Sequence, residues 1–293
     1  MTPIAKGRVL ALASPVFWSL SGITVRLMDE TTTPWQINFY RSSTLALFVI
    51  VILIIRYRQQ VLRVIRTAGM VGVIAGIFVG CSMLCNIVAL KHTSVANATI
   101  LMASGPLFAA LLGRFVLTER VTTKSWVAIC MAFIGIVLMV GDQEGASTLY
   151  GNLIALVGVG FFGAYAVTLR RRSDIDMTPA VLVAGIFSAA VSAIAATGTG
   201  TGLQTSARDI CLCIFLGIFQ LGIGSVLFAI ASRTVPAAEL TLFSLSEPVL
   251  APIWSWLGVG EIPSGRAIMG GGIIITALIT QACSPQKAPA TPR

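Results

Sequence analysis

Along most of this chain polar residues do not alternate with apolar ones; they punctuate long apolar runs. Ten runs approach the roughly 20 residues that a helix needs to cross about 30 Å of hydrocarbon. They cover residues 9–27, 35–55, 70–90, 94–117, 125–141, 151–169, 179–197, 210–231, 237–257 and 267–283. Helix is the state they predict. Lipid offers no partner to backbone N–H and C=O groups, and barrel strands would alternate over about ten residues. The first run is kept as a span, because its end at Arg26, Asp29 and Glu30 carries no small-residue cleavage site. The intervening loops are short. Residues 198–206, rich in Gly and Thr, read as a flexible outer loop, and residues 284–293 as a polar, disordered cytoplasmic tail.

Composition sharpens this. Hydrophobic types make up 56% of the 293 residues and charged types 11%, and the mean hydropathy is +0.91. Ordinary soluble domains carry about 25% charged residues, so a soluble enzyme is excluded, as is a disordered chain. The net charge of +9 matters less than its distribution. With the N-terminus in the cytoplasm, 14 of the 20 Lys and Arg fall in inside segments and 3 in outside loops; Arg26, Arg41 and Arg114 lie in or beside spans. The bias predicts both termini inside, in a multi-pass protein of the inner (plasma) membrane. The basic excess then faces lipid headgroups, not nucleic acid. The six cysteines form no C-x-x-C and lie in or beside apolar runs, where they read as small buried hydrophobes. One histidine, His92, leaves no material for a metal centre or a His-based hydrolase.

The two halves resemble each other. At a shift of 142 positions Gly80 falls on Gly222, Ser104 on Ser246, Pro106 on Pro248 and Glu119 on Glu261. At a shift of 144, Phe17 falls on Phe161, Thr24 on Thr168 and Arg26 on Arg170. The expected fold is therefore all-α and integral to the membrane: ten transmembrane helices as two five-helix repeats, residues 1–145 and 146–283. Five is odd, so the second repeat would run inverted, a recurrent plan of secondary transporters.

The stretch from Ala89 through Ala98, with Gly105-Pro106 and Leu117-Thr118-Glu119-Arg120, resembles the signature of the EamA family in the drug/metabolite transporter superfamily. Val235-Pro236-Ala237-Ala238-Glu239, Glu247-Pro248 and Gly260-Glu261 resemble it again. Nearly the whole chain is covered. The resemblance implies a carrier, usually an exporter of small metabolites, and within the family it is similar to the YddG-type aromatic amino acid exporters. The motifs name a family better than a substrate.

Ionisable groups at bilayer depth are costly and mark function by default. Arg41, Glu239 and Glu247 qualify as gating or coupling candidates. Arg41 lies about 10 Å into the second span and Glu247 about 12 Å from the same face. An Arg41–Glu247 pair would act as a gate or proton site, or as a structural clamp. Glu239, one turn inside its span, can also reach interfacial water. Pro106, Pro248 and Pro252 predict helix kinks, whose freed carbonyls must face protein or a water-filled cavity. Candidates for the substrate cavity are Trp18, Phe78, Asn86, Phe161, Tyr165, Gln220, Phe243 and Ser244. Aromatic members suit an amphipathic ring compound, and the amides need partners in apolar helices; plain packing and inter-helix glue are the competing readings.

Two pattern matches fail on context. The glycines of Gly158-Val159-Gly160-Phe161-Phe162-Gly163 lie inside a span, not after a strand, so they read as helix-packing sites, like Gly76 and Gly80. Asn97-Ala98-Thr99 fits a glycosylation sequon within a span. No ATP-binding signature is present, so a substrate or ion gradient would drive transport. Rival functions are a channel, an uptake carrier for nucleobases, sugars or drug-like cations, and an integral-membrane enzyme, the last disfavoured by one histidine and scattered carboxylates. The expected partners are a small-molecule substrate and membrane lipids, with no cofactor, no metal and no nucleic acid, the chain acting as a monomer.

Overall fold

The computed structural model describes residues 3–116, 123–140, 146–171, 175–231, 243 and 246–282. Every regular element among them is helical. The helices are α1 (Pro3–Arg26), α2 (Pro34–Tyr57), α3 (Val61–His92), α4 (Val95–Ala103), α5 (Gly105–Val116), α6 (Thr123–Val140), α7 (Ala146–Arg171), α8 (Thr178–Gly198), α9 (Ala207–Phe215), α10 (Gly224–Ala231), α11 (Ser246–Val259) and α12 (Gly265–Ala282). A 3-10 turn, Arg58–Gln60, joins α2 to α3, and a π-helical segment, Leu216–Ile223, joins α9 to α10.

Six stretches among the described residues are long and apolar enough to cross a membrane: Ala5–Arg26, Pro34–His92, Val95–Phe115, Thr148–Leu169, Thr178–Gly198 and Ala207–Phe228. Trp126–Leu138 and Gly265–Ala277 are shorter apolar helices. The third predicted span gains a polar turn at its start. Residues 61–68 are already helical but bend away at Gly69, whose φ of 52° and ψ of −150° only glycine adopts cheaply. Arg63 and Arg66 are exposed on this turn. The fourth predicted span is two helices, broken at Ser104.

The packing contacts come in matched sets. Helix α1 packs on α10 and the π segment, and α7 on α3; α1 packs on α11, and α7 on α4 and α5. Likewise α2 packs on α9 and the π segment, and α8 on α3. Three further contacts pair corresponding helices directly: α2 with α8, α6 with α12, and α4 with α11. Small residues make the crossings close. A Cβ on Gly76 would lie 2.6 Å from Val183, and one on Gly80 2.8 Å from Phe187, both on α8. One on Gly222, the counterpart of Gly80, would lie 2.7 Å from Phe48 on α2. Without a hydrophobic drive between helices in lipid, such close approach supplies the dispersion energy that holds a bundle. Among the described cysteines Cys213 is buried, but Cys130 and Cys211 are exposed. The expectation of burial fails there because an apolar thiol is equally at home against lipid.

One end of the bundle carries a dense polar network, here termed the Arg26 end. Thr33, Ser94 and Ser206 cap α2, α4 and α9, each side chain accepting a backbone N–H. The segment 198–206 lies at this end and is tethered, against the expectation of a flexible loop. Gln36 Nε2 donates to the carbonyls of Gly202 and Gln204, Tyr40 Oη donates to Leu203, and Gly202 N returns to Ala196 O. Gly and Thr composition signalled a loop but not the side chains of α2 that anchor it.

Candidate functional site

The helix interruptions position the candidate site. At Ser104 the chain leaves α4 and restarts as α5. The Ser104 hydroxyl donates to Leu101 O, while Leu107 N and Phe108 N both reach Ser104 O. Pro106 is therefore not a kink in a continuous helix but the second residue of a new one, where its missing N–H costs nothing. Pro248 is the third residue of α11, in its first turn; Pro252 alone of the three sits in a helix interior. Glu247 falls in the same first turn as Pro248, where the helix dipole favours a negative charge. Its side chain is half-buried. Glu239 and Ser244 lie outside the described residues.

The aromatic candidates assemble in two clusters. On one side the Trp18 ring meets Phe228 at 5.3 Å, Gln220 Nε2 donates to Trp18 O at 3.3 Å, and Phe243 packs with Leu10 and Phe228 against Ala11 and Ala231. On the other, Phe78 meets Phe161 at 6.5 Å, and Tyr165 meets Phe162 at 6.1 Å. Asn86 is half-buried on α3. The Phe162 ring covers the helix break, since a Cβ on Gly105 would lie 2.7 Å from it. Gln220 sits inside the π segment, a widened turn of the kind found at functional sites. Its Oε1 is buried without a partner. A surface cleft of about 320 Å³ bounded by Tyr57, Arg63 and Asp176 lies apart from both clusters.

The sequence placed Arg41 and Glu247 at similar depth and allowed them to pair; the structure separates them. Arg41 is 2% exposed on α2, its Nε and Nη1 have no hydrogen-bond partner, and no described carboxylate lies within ion-pair distance. The physical reason is helix order: α2 packs on α3, α8, α9 and the π segment, whereas α11 packs on α1 and α4. An unpaired guanidinium at membrane depth costs about 3 kcal/mol or more.

The closer of the two ion pairs among the described residues joins Arg26 and Glu261, a pairing the sequence reading does not anticipate. Arg26 Nε donates to Glu261 Oε2 at 2.7 Å, and Arg26 Nη2 to Thr93 O at 2.6 Å. Val95 N donates to the other oxygen of Glu261 at 2.6 Å. Thr93 Oγ1 continues to Asn152 Oδ1, and Asn97 Nδ2 reaches Thr93 Oγ1. One carboxylate thus joins the end of α1, the α11–α12 connection and the α3–α4 corner. Beside it, Asp209 accepts from Thr32 Oγ1 and from Asp29 N. The opposite end holds a smaller set, in which Asp176 accepts from Tyr57 Oη and Thr178 N and lies 3.6 Å from Arg56. Burial alone would raise the Asp176 carboxyl, but the hydrogen bonds from Thr178 and Tyr57 and the Arg56 charge outweigh it and hold it below its ordinary 3.8. The signal for the Arg26–Glu261 pair was present as two charges at span ends, but sequence distance hid that they share a corner.

The EamA-like transporter family model matches this chain twice, over residues 5–141 and 149–281. Similar proteins include the Bacillus subtilis "Uncharacterized transporter YwfM", 23% identical over 95% of this chain and 94% of that protein. They also include the "Pseudopaline exporter CntI" of Pseudomonas aeruginosa, 22% identical over 94% of this chain and 95% of that protein. A crystal structure titled only "Crystal structure of protein" superposes with a TM-score of 0.65 at 19% identity, covering 94% of this chain and 96% of that one. At that identity the likeness is one of fold.

Proposed function

This chain belongs to the EamA-like transporter family, and from that premise we propose that it is a secondary transporter that exports small metabolites, chiefly amino acids including aromatic ones, from the cell. It lies in the inner membrane as ten spans, two inverted five-helix repeats over residues 1–145 and 146–283, with both termini cytoplasmic. Transport is by alternating access through a central path between the repeats. The matched helix contacts support a two-fold relation of the halves, and the basic residues support the orientation.

The observation that carries the reading is the pair of helix starts at corresponding places, Gly105-Pro106 and Glu247-Pro248. Paired interruptions in the two halves of a transporter are the best bottom-up pointer to its binding site. Polar groups freed there serve a solute, and rings at Trp18, Phe78, Phe161, Tyr165 and Phe243 suit an aromatic side chain. The polar network at the Arg26 end supports a state closed on that side. Export as the direction draws on the relative named as an exporter.

Counterflow with purified protein in liposomes tests the proposal, using labelled amino acids, nucleobases and sugars. Saturable exchange of aromatic amino acids is expected. Exchange restricted to another class would replace the substrate, and conductance far above carrier turnover would replace the carrier with a channel.

A further inference from the structure

The most anomalous group in the molecule is the guanidinium of Arg41. Buried arginines in membrane proteins pair with a carboxylate or with backbone carbonyls, because a charge without a counter-charge in a medium of low dielectric is expensive. Arg41 has neither. It is 2% exposed, its Nε and Nη1 have no partner, and no described Asp or Glu forms an ion pair with it. Asp209, the buried acid on α9, engages Oδ2 with Thr32 and the backbone of Asp29; its Oδ1 has no partner, but it forms no ion pair with Arg41.

Arg41 is not alone in lacking partners. Asn38, one turn away, donates Nδ2 to Leu84 O but leaves Oδ1 unpartnered, and Ser42 Oγ is unpartnered too. All three side chains are at most 2% exposed. Their helix bridges α3 and the helix formed by α9 and the π segment; α2 packs on both, and those two share no extensive contact with each other. The contacts fix the location closely, since Asn38 bonds α3 while a Cβ on Gly217 of the π segment would lie 2.7 Å from Arg41 O. These two helices each lead to an aromatic cluster: α3 carries Phe78, and the π segment carries Gln220, which bonds Trp18 O, and continues into α10 with Phe228. Arg41 thus lies on the helix that packs between the two helices bearing these residues.

We propose that Arg41 is the anion-binding anchor of the transport path and receives the carboxylate of the transported metabolite. The assignment rests on the carrier reading above and narrows its substrate to carboxylate-bearing compounds. A guanidinium presents parallel N–H donors that match the two carboxylate oxygens, which an ammonium does not. The solute supplies the missing counter-charge, and the site is neutral only when loaded. Asn38 Oδ1 remains as an acceptor within a turn, available to the ammonium of an amino acid.

The test is the thermal stability of purified protein in detergent, measured with a panel of sodium carboxylates: acetate, hydrocinnamate, phenylalanine, tryptophan, leucine and glutamate. Phenethylamine and phenylalaninamide serve as carboxylate-free counterparts. At least one carboxylate is expected to raise the melting temperature by several degrees, with its carboxylate-free counterpart at least tenfold less potent. The R41M variant is expected to melt at or above the unliganded wild type, because it removes an unpaired buried charge, and to lose the response. R41K, which keeps the charge but not the paired donors, should shift the half-saturating concentration at least tenfold. Protection of R41M equal to that of wild type, or no protection of wild type by any carboxylate, overturns the assignment. If R41M does not fold, R41K decides: an unchanged response overturns it as well. Counterflow separates this proposal from the carrier reading. Arg41-dependent protection without exchange would retire the carrier, and exchange of amines with no Arg41-dependent protection would retire the anchor.

Discussion

Glu261→Gln is the sharpest probe of how the Arg26 end is held together. Both oxygens of Glu261 are engaged, one by Arg26 Nε at 2.7 Å and one by Val95 N at 2.6 Å. The side chains of the pair are 27% and 21% exposed, so the contact is neither deeply buried nor fully screened. Hydrogen bonds to a charged group contribute about 1.5–3 kcal/mol. Partial exposure argues for the low end. Glutamine keeps one acceptor but no charge, so about 1.5 kcal/mol should be lost, which is roughly tenfold in the opening equilibrium. Amide hydrogen exchange reads this locally. Val95 reports only the change in its own acceptor, so the informative amides are Asn97, bonded to Ser94 Oγ, and Ala98, bonded to Ser94 O. Both should exchange about tenfold faster, while amides near Thr178 at the opposite end stay unchanged. Rates at Asn97 and Ala98 within twofold of wild type would refute the view that this carboxylate holds the corner together.

Gly158→Ala should destabilise the protein by about 1–3 kcal/mol, since its Cβ would lie 2.8 Å from Cys85, whereas Gly160→Ala, with nothing within 4 Å, should be neutral or stabilising; melting temperatures of the two decide whether these glycines act by packing. The Asp176 carboxyl, held below its ordinary value, contributes stability at pH above about 4 that fades as pH falls through its lowered folded value. Asp176→Asn should flatten the acid limb of a stability–pH curve, and an unchanged limb would assign it to other groups. Glu247→Gln should abolish any dependence of export on the proton gradient, measured in liposomes with imposed pH steps; retained dependence removes Glu247 from proton coupling.

Much of the fold was legible because the bilayer simplifies the code. Apolar runs marked helices among the described residues, and the shifts of 142 and 144 agree with a family model that matches the chain twice. Gly76 and Gly80 were readable as packing residues because small residues in lipid have few other uses. What failed was subtler. A helix break at Ser104 looks in sequence like a kink, because both need the same proline. The π turn around Gln220 leaves no compositional trace. Similar depth along two helices suggests an Arg41–Glu247 pair, but depth says nothing about which helices are neighbours. The Arg26–Glu261 contact spans 235 positions, and no local pattern encodes it.

The departures from internal symmetry are as physical as the symmetry itself. At a shift of 144, Arg41 on α2 falls on Gly185 on α8. These two helices pack on each other, and a Cβ at Gly185 would already lie 3.0 Å from Ser42 O and from Ala46. The crossing has room for a long side chain from one half only, so a duplicated arginine would have forced the helices apart. The same holds at the helix starts, where Glu247 faces Gly105 at a shift of 142 and Gly105 is covered by the Phe162 ring. Scaffold positions such as Gly80 and Gly222 are therefore free to repeat, because each seats an equivalent helix crossing. Arg41 is not, because at the α2–α8 crossing the two halves compete for one space. Arg41 comes from the first half and Glu247 from the second, so the two halves differ in where their helices carry charge.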